Sequence, residues 1–316
     1  MAMAVSKLAR PGAAAAWLGW TVRADYGSSS QNEAKVLTMI PPYAIGVCSW
    51  SLQVKSVPEL RGFLDELGVN VIQIACGDPH HASWNEGDDM PAAALAAGFD
   101  IHAAMIGFPG EDYTTPHTIK ETGGFGNPAT RAARLETLKW ALTRTTALGV
   151  QRLTMHGGFI PDPEDDGRKA FLDTLGEASA LAKAHGVTLG LETGQETAAL
   201  LRRTLDDLKC DNVKVNFDPA NMLLYDMGDP IRAVEILGPD IATVHCKDAF
   251  QPTTPGEWGQ EVPIGEGAVH MAPFIAALKK VGYVGPLVIE REVGNQQERL
   301  ADCAHGIRVL RDILEA

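Results

Sequence analysis

The chain has 316 residues, 45% of them apolar, and a formal net charge of −13. That length suits a single α/β barrel of ~250 residues plus a tail. The acidity argues against a nucleic-acid partner, whose phosphates are met by Lys and Arg, and against an anionic membrane surface. Five cysteines (Cys48, Cys76, Cys210, Cys246 and Cys303), none in CxxC spacing, disfavour a disulfide framework or a thiolate zinc site. They predict a reducing, cytoplasmic setting.

Residues 1–40 read as a flexible N-terminal extension. Lys7 and Arg10 ahead of the Ala-rich run at 12–20 faintly resemble an export signal. That run is short, Arg23 and Asp25 follow it, and Gly27-Ser28-Ser29-Ser30 has linker composition. No stretch reaches the ~20 apolar residues of a membrane span. Residues 41–316 read as one catalytic domain without an interior linker.

From Tyr43 onward, short β-branched or apolar runs alternate with helical patterns. The runs are residues 44–50, 69–75, 100–105, 152–156, 187–192, 213–218, 241–245 and 287–290. Their length and composition predict buried strands. Ser56-Val57-Pro58-Glu59 reads as a capping box, and Asp229-Pro230 as an N-cap with Pro at the first helical position. Gly68, Gly149, Gly186, Gly238 and Gly282 each follow a helical run and predict left-handed caps. Residues 296–314 are apolar at helical spacing and should close the wall. Alternating strands and helices imply parallel pairing through crossovers. Eight units predict closure into a (β/α)8 TIM barrel. The rival, an open doubly wound sheet binding a dinucleotide, lacks a Gly-x-Gly-x-x-Gly turn after the first run. The longest connection, between the third and fourth runs, contains 107–113 and 122–126 and should lie over the substrate.

Runs five to eight end in Glu192, Asp218, His245 and Glu290. In a parallel barrel these ends share one face, where active sites sit. Three carboxylates gathered there repel one another and resist ionisation, and a divalent cation removes the conflict. Oxygen ligands with one nitrogen suit Mn²⁺, Mg²⁺ or Co²⁺ better than a thiolate-type zinc site. The alternative is a set of ion pairs with Lys247, Arg291 or Arg202. Other candidates are weaker. His156, at the end of the fourth run, reads as a contact to a substrate hydroxyl or as a structural histidine. Lys247, two residues past His245, could bind a substrate oxygen or pair with Asp218 or Glu290. Trp50, placed at the end of the first strand, could wall a sugar or pack in the core. His80 and His81 fall in a polar, solvent-facing loop. No Gly-rich loop with a following Lys is present to cradle a phosphate, which favours an unphosphorylated substrate.

Leu191-Glu192-Thr193-Gly194, Asn216-Phe217-Asp218-Pro219-Ala220-Asn221, Val244-His245-Cys246-Lys247-Asp248, Pro263-Ile264-Gly265-Glu266-Gly267 and Ile289-Glu290 resemble the xylose-isomerase-like barrel superfamily. They are most similar to its sugar phosphate isomerase/epimerase branch of ketose 3-epimerases and inosose dehydratases. The resemblance covers about residues 43–315. It implies that Glu192, Asp218, His245 and Glu290 hold one divalent cation, Mn²⁺ first, with Mg²⁺, Co²⁺ or Zn²⁺ as alternatives. It further implies that Glu192 and Glu290 are the acid/base pair of a ketose isomerase or epimerase working through an enediolate. Asn221 stands where those epimerases carry a nearby histidine, which leaves the substrate open. The second reading is a dehydratase or lyase acting on a keto-inositol or 3-keto-glycoside. The third is a non-enzymatic barrel that binds a sugar or supports a partner. The trinuclear-zinc endonucleases of the superfamily need more strand-end histidines and a basic groove than this chain has. By analogy with such barrels, a homo-oligomer is expected. The expected partner molecule is a small sugar.

Overall fold

The computed structural model describes residues 40–77 and 89–316. Residues 1–39 of the expected extension, and His80 and His81, lie outside the described residues. Eight parallel strands close a barrel in the order β1-β10-β7-β6-β5-β4-β3-β2. They are β1 Ile45–Cys48, β2 Val71–Ala75, β3 Asp100–Met105, β4 Arg152–Met155, β5 Thr188–Glu192, β6 Val213–Phe217, β7 Ile241–Cys246 and β10 Leu287–Ile289. Between β7 and β10 an antiparallel hairpin intervenes, β8 Asp248–Phe250 with β9 Gln260–Val262. Each predicted run overlaps a barrel strand, and the hairpin is an addition that its three-residue strands are too short to announce.

Helices coat the barrel. They are α1 Val57–Leu67, α2 Met90–Ala96, α3 Pro116–Thr122, α4 Arg131–Ala147, α5 Arg168–Ala184, α6 Ala198–Leu208, α7 Pro219–Leu224, α8 Pro230–Leu237, α9 Met271–Lys280 and α10 Gln296–Glu315. Helix α8 starts as its sequence predicts: Asp229 caps Ile231 and Arg232, with Pro230 in the first turn. Ser56 caps Glu59, but the Glu59 carboxylate reaches past the box to accept from the Lys55 N–H at 2.7 Å. Gly68, Gly149, Gly186 and Gly282 are left-handed, with φ between 66° and 84°. Gly238 corrects the pattern. Its φ is −39°, an ordinary right-handed value. Glycine is required there by crowding, since a Cβ would lie 2.6 Å from Val281 Cβ. The first strand also stops short. Trp50 lies on a 3₁₀ turn, Ser49–Leu52, and not on β1 itself.

The barrel interior beneath its C-terminal rim is polar. Gln73, Thr154, Asn216 and Thr243 are all buried there. Register shifts fall at Ile72/Gln73 in the β2–β3 pairing and at Val215/Asn216 in β6–β7. Such irregularities re-aim side chains beside active sites, and both glutamine and asparagine point at the same histidine.

Candidate metal centre and active site

Glu192, Asp218, His245 and Glu290 come from β5, β6, β7 and β10, which are neighbours in the barrel. All four are buried, and one ligand atom from each lies within 4.8 Å of the others. The imidazole Nδ1 of His245 is the focus. It lies 3.4 Å from Glu192 Oε1, 3.6 Å from Asp218 Oδ2 and 3.4 Å from Glu290 Oε2. Neither His245 Nδ1 nor Asp218 Oδ2 has a hydrogen-bond partner. Buried polar atoms left unpaired are costly. A divalent cation at this point would satisfy both, and a donor set of oxygens with one nitrogen suits such an ion.

The surrounding residues fix these atoms. His245 Nε2–H donates to Gln73 Oε1 at 2.9 Å, and Gln73 in turn donates to Thr154 Oγ1 at 2.7 Å. That bond leaves Nδ1 aimed at the carboxylates, the usual tuning of a ligating histidine from behind. Asp218 caps α7. Its Oδ1 accepts from the N–H groups of Ala220 and Asn221, at 2.8 and 2.9 Å, which turns Oδ2 inward. Glu192 is held by Asn221 Nδ2 at 3.0 Å and Asn216 Nδ2 at 3.3 Å. Glu290 Oε1 accepts from Trp50 Nε1 at 2.6 Å.

Ion pairing meets the crowd of carboxylates only in part, through Lys247. Arg202 is taken by Asp206 and Asp240, and Arg291 by Glu261 and Asp302. Lys247 is buried at the cluster's edge. Its Nζ lies 3.0 Å from Glu290 Oε2, pairs closely with Glu292, and is 3.9 Å from Asp218 Oδ2. Burial pushes Glu290 up, but Lys247 and then His245 outweigh it and hold the carboxyl well below the usual range. Burial wins at Asp218, raising it to about 6 despite Lys247. Burial opposes charge on His245, yet Glu290 and the other acids around it raise it well above an ordinary histidine. The cluster therefore attracts positive charge strongly, whether proton or metal ion.

The candidate substrate contacts His156, Lys247, Asn221 and Trp50 sit at or beside this cluster. His156 Nε2 is 3.8 Å from Glu192 Oε2, with Tyr113 packed against its ring at 5.8 Å between centroids. Trp50 stands edge-on to His245 at 5.9 Å. Asn221 bridges Glu192 to Lys247. Several neighbours carried no sequence signal. Cys48 approaches His245 and Glu290, although burial pushes its thiol up and a protonated thiol is a poor ligand. Glu261 and Glu292 flank Lys247. Gln195 and Glu196 are buried in the turn after β5. Burial alone pushes the Glu196 carboxyl up to about 8.

A closed parallel barrel with an acid-and-imidazole cluster on consecutive strand ends defines a class of proteins able to hold one metal ion at the rim. The chain belongs to the xylose isomerase-like TIM barrel family, whose profile matches residues 61–313. A xylose isomerase domain protein from Planctomyces limnophilus has a similar structure. Its TM-score is 0.76 at 32% identity, over 87% of this chain and 99% of that one. The L-ribulose-5-phosphate 3-epimerase UlaE of Escherichia coli is 26% identical over 57% of this chain. The chain spans under two thirds of the curated relatives it matches, 64% for UlaE. A xylose isomerase-like barrel from Mycobacterium smegmatis, solved in complex with magnesium, shares the fold. Its TM-score is 0.64 at 16% identity, over 87% of this chain and 96% of that one.

Proposed function

We propose that the protein, through residues 41–316, is a divalent-metal-dependent isomerase or epimerase of an unphosphorylated ketose, with Glu192, Asp218, His245 and Glu290 as the ligand set. The observation that carries this reading is the convergence of three carboxylates on His245 Nδ1 while Nδ1 and Asp218 Oδ2 have no partner. When bound, the cation supplies positive charge that stabilises oxyanion character on the sugar as the neighbouring C–H loses its proton.

The chain's own residues divide the remaining work. Glu192 and Glu290 end the outer strands of the four-strand arc β5-β6-β7-β10. A sugar bound over the arc would meet one of them on each side. Both are held below the ordinary carboxylate range: burial raises each, but His156 and His245 together outweigh it at Glu192, and Lys247 and His245 together at Glu290. Each is thus ionised and able to take a proton, and the one that has done so returns it as an acid. Trp50 holds Glu290 Oε1, and Asn221 holds Glu192 Oε1, so each glutamate has a fixed approach.

The named activity of UlaE concerns a sugar phosphate. In this chain the cations beside the cluster are engaged by acids: Lys247 by Glu290 and Glu292, and Arg291 by Glu261 and Asp302. A phosphate dianion would meet that acidic surround, which supports a neutral sugar.

Ketoses, inososes and 3-keto-glycosides incubated with the Mn²⁺, Mg²⁺ or Co²⁺ protein in D₂O, then freed of metal and read by NMR, test the reading. Deuterium at the carbon beside the carbonyl of a product of unchanged composition is expected. Loss of water or of an aglycone would mark a dehydratase or lyase instead. Glu290→Gln should lower turnover by ~10²–10⁴, the usual worth of a positioned acid/base group. Near-normal rates in that variant would refute the assignment.

A further inference from the structure

Gln195 lies three residues past Glu192, between β5 and α6. It is only 6% exposed, yet neither Oε1 nor Nε2 has a hydrogen-bond partner. Its position is set tightly on both sides. A Cβ on the preceding Gly194 would lie 3.1 Å from the Tyr225 ring and 3.2 Å from Asn221 Cβ, so the chain is pressed against the wall that carries those two residues. A Cβ on Gly123 would lie 3.3 Å from Gln195 Nε2, so the amide sits under the 122–126 loop. Burial pushes the Tyr225 hydroxyl up and a weak side-chain hydrogen bond to Gln195 partly offsets this, although neither amide atom reaches full hydrogen-bond geometry with any partner. Native proteins rarely leave both ends of a buried amide unused. Those that do so beside a catalytic cluster have a ligand to meet.

We infer that Gln195, with the Tyr225 hydroxyl, is a specificity element that binds a neutral hydroxyl or vicinal diol of the substrate, on the part of the sugar away from the reacting carbons. This rests on the sugar reading above. A carboxamide offers one acceptor and one donor side by side. A hydroxyl is both donor and acceptor and can engage both atoms. A phosphate dianion has no donor and would face Oε1 lone pair to lone pair. The amide is uncharged, so it adds discrimination without disturbing the charge balance of the acidic cluster. A site built to pair a hydroxyl discriminates sharply against the analogue that lacks it, because its own polar atoms are then buried unpaired.

The test uses the full-length, Mg²⁺-loaded protein and D-fructose, 5-deoxy-D-fructose and 6-deoxy-D-fructose as probes, with affinities from NMR titration. Gln195→Met keeps the length of the side chain and removes its polar atoms. It should weaken D-fructose binding ~10-fold or more, the effect of one buried partner lost. It should leave unchanged the affinity for whichever deoxy sugar lacks the contacted hydroxyl. Co²⁺ titration of the same variant should still give one ion per chain. Gln195→Leu, which likewise removes both polar atoms, should reproduce the selective loss, and it carries the test if the Met variant does not fold. Equal losses on all three sugars, or none, would overturn the inference. So would a wild-type protein that binds none of them. If D-fructose binding depends on Gln195 but no solvent deuterium enters any sugar, the epimerase reading fails and this one stands.

Discussion

Asp218 uses its two oxygens for different ends. Oδ1 caps α7, and Oδ2 faces His245 Nδ1 without a hydrogen-bond partner. The Asp218-Pro219 pair that starts α7 is thereby also what turns Oδ2 into the cluster. Glu196 is a different kind of buried acid, with its carboxyl pushed up to about 8 from 4.5. A carboxyl raised in this way takes up a proton when the chain folds. Its stability contribution is full below pH 4.5 and is lost as pH rises towards about 8, by up to about 1.4 kcal/mol per unit. Glu196→Gln should therefore be more stable than wild type at pH 7.5 and equal to it at pH 4, in chemical denaturation across that range. Parallel pH curves for the two proteins would contradict this. Asp218 was legible in the sequence because it ends an apolar run. Gln195 and Glu196 were not. Polar residues after a strand read as a solvated turn, and only the packing of Tyr225 and the 122–126 loop over them reveals burial.

Among the elements, the loop after β7 shows how a short motif acquires a mechanical meaning. Asp248 Oδ2 accepts from the N–H groups of Gly265 and Gly267, and Oδ1 from those of Ala249 and Val269. A Cβ on Gly267 would fall 2.2 Å from that carboxylate. Asp248 thus ties the Pro263–Gly267 turn to the end of β7, beside Lys247. Resemblance alone pointed to these two stretches, and their link is visible only in three dimensions. Gly238 carries the opposite lesson. Its place after a helical run suggested a left-handed cap, whereas close approach to Val281 is what excludes a side chain. Gly238→Ala should cost ~1–3 kcal/mol of stability, as overpacking does. Val281→Gly, which removes Cβ and both Cγ atoms, should recover part of that loss in a double-mutant cycle of thermal unfolding. An additive double mutant would show the two sites to be uncoupled.

At the scale of the whole molecule, eight apolar runs became eight barrel strands, because each is short, buried and separated by a helix that covers it. Closure of the barrel is what turns four distant strand ends into one cluster. The sequence therefore carried the cluster better than its surroundings. The connections over the rim meet only after folding. Trp258 Nε1 donates to Thr114 O at 3.3 Å, and its ring meets Tyr225 at 4.6 Å, joining three separate connections over the rim. The account stands or falls on the ion. Calorimetric titration of Mn²⁺ into chelator-stripped protein tests it most directly, with Asp218→Asn as the partner experiment, because asparagine preserves the helix cap and removes the ligand charge. The prediction is one saturable site per chain in the wild type, weakened at least ~100-fold in Asp218→Asn with the fold intact. No saturable binding, or equal affinity in the two proteins, would contradict the assignment of these four strand ends as a metal centre.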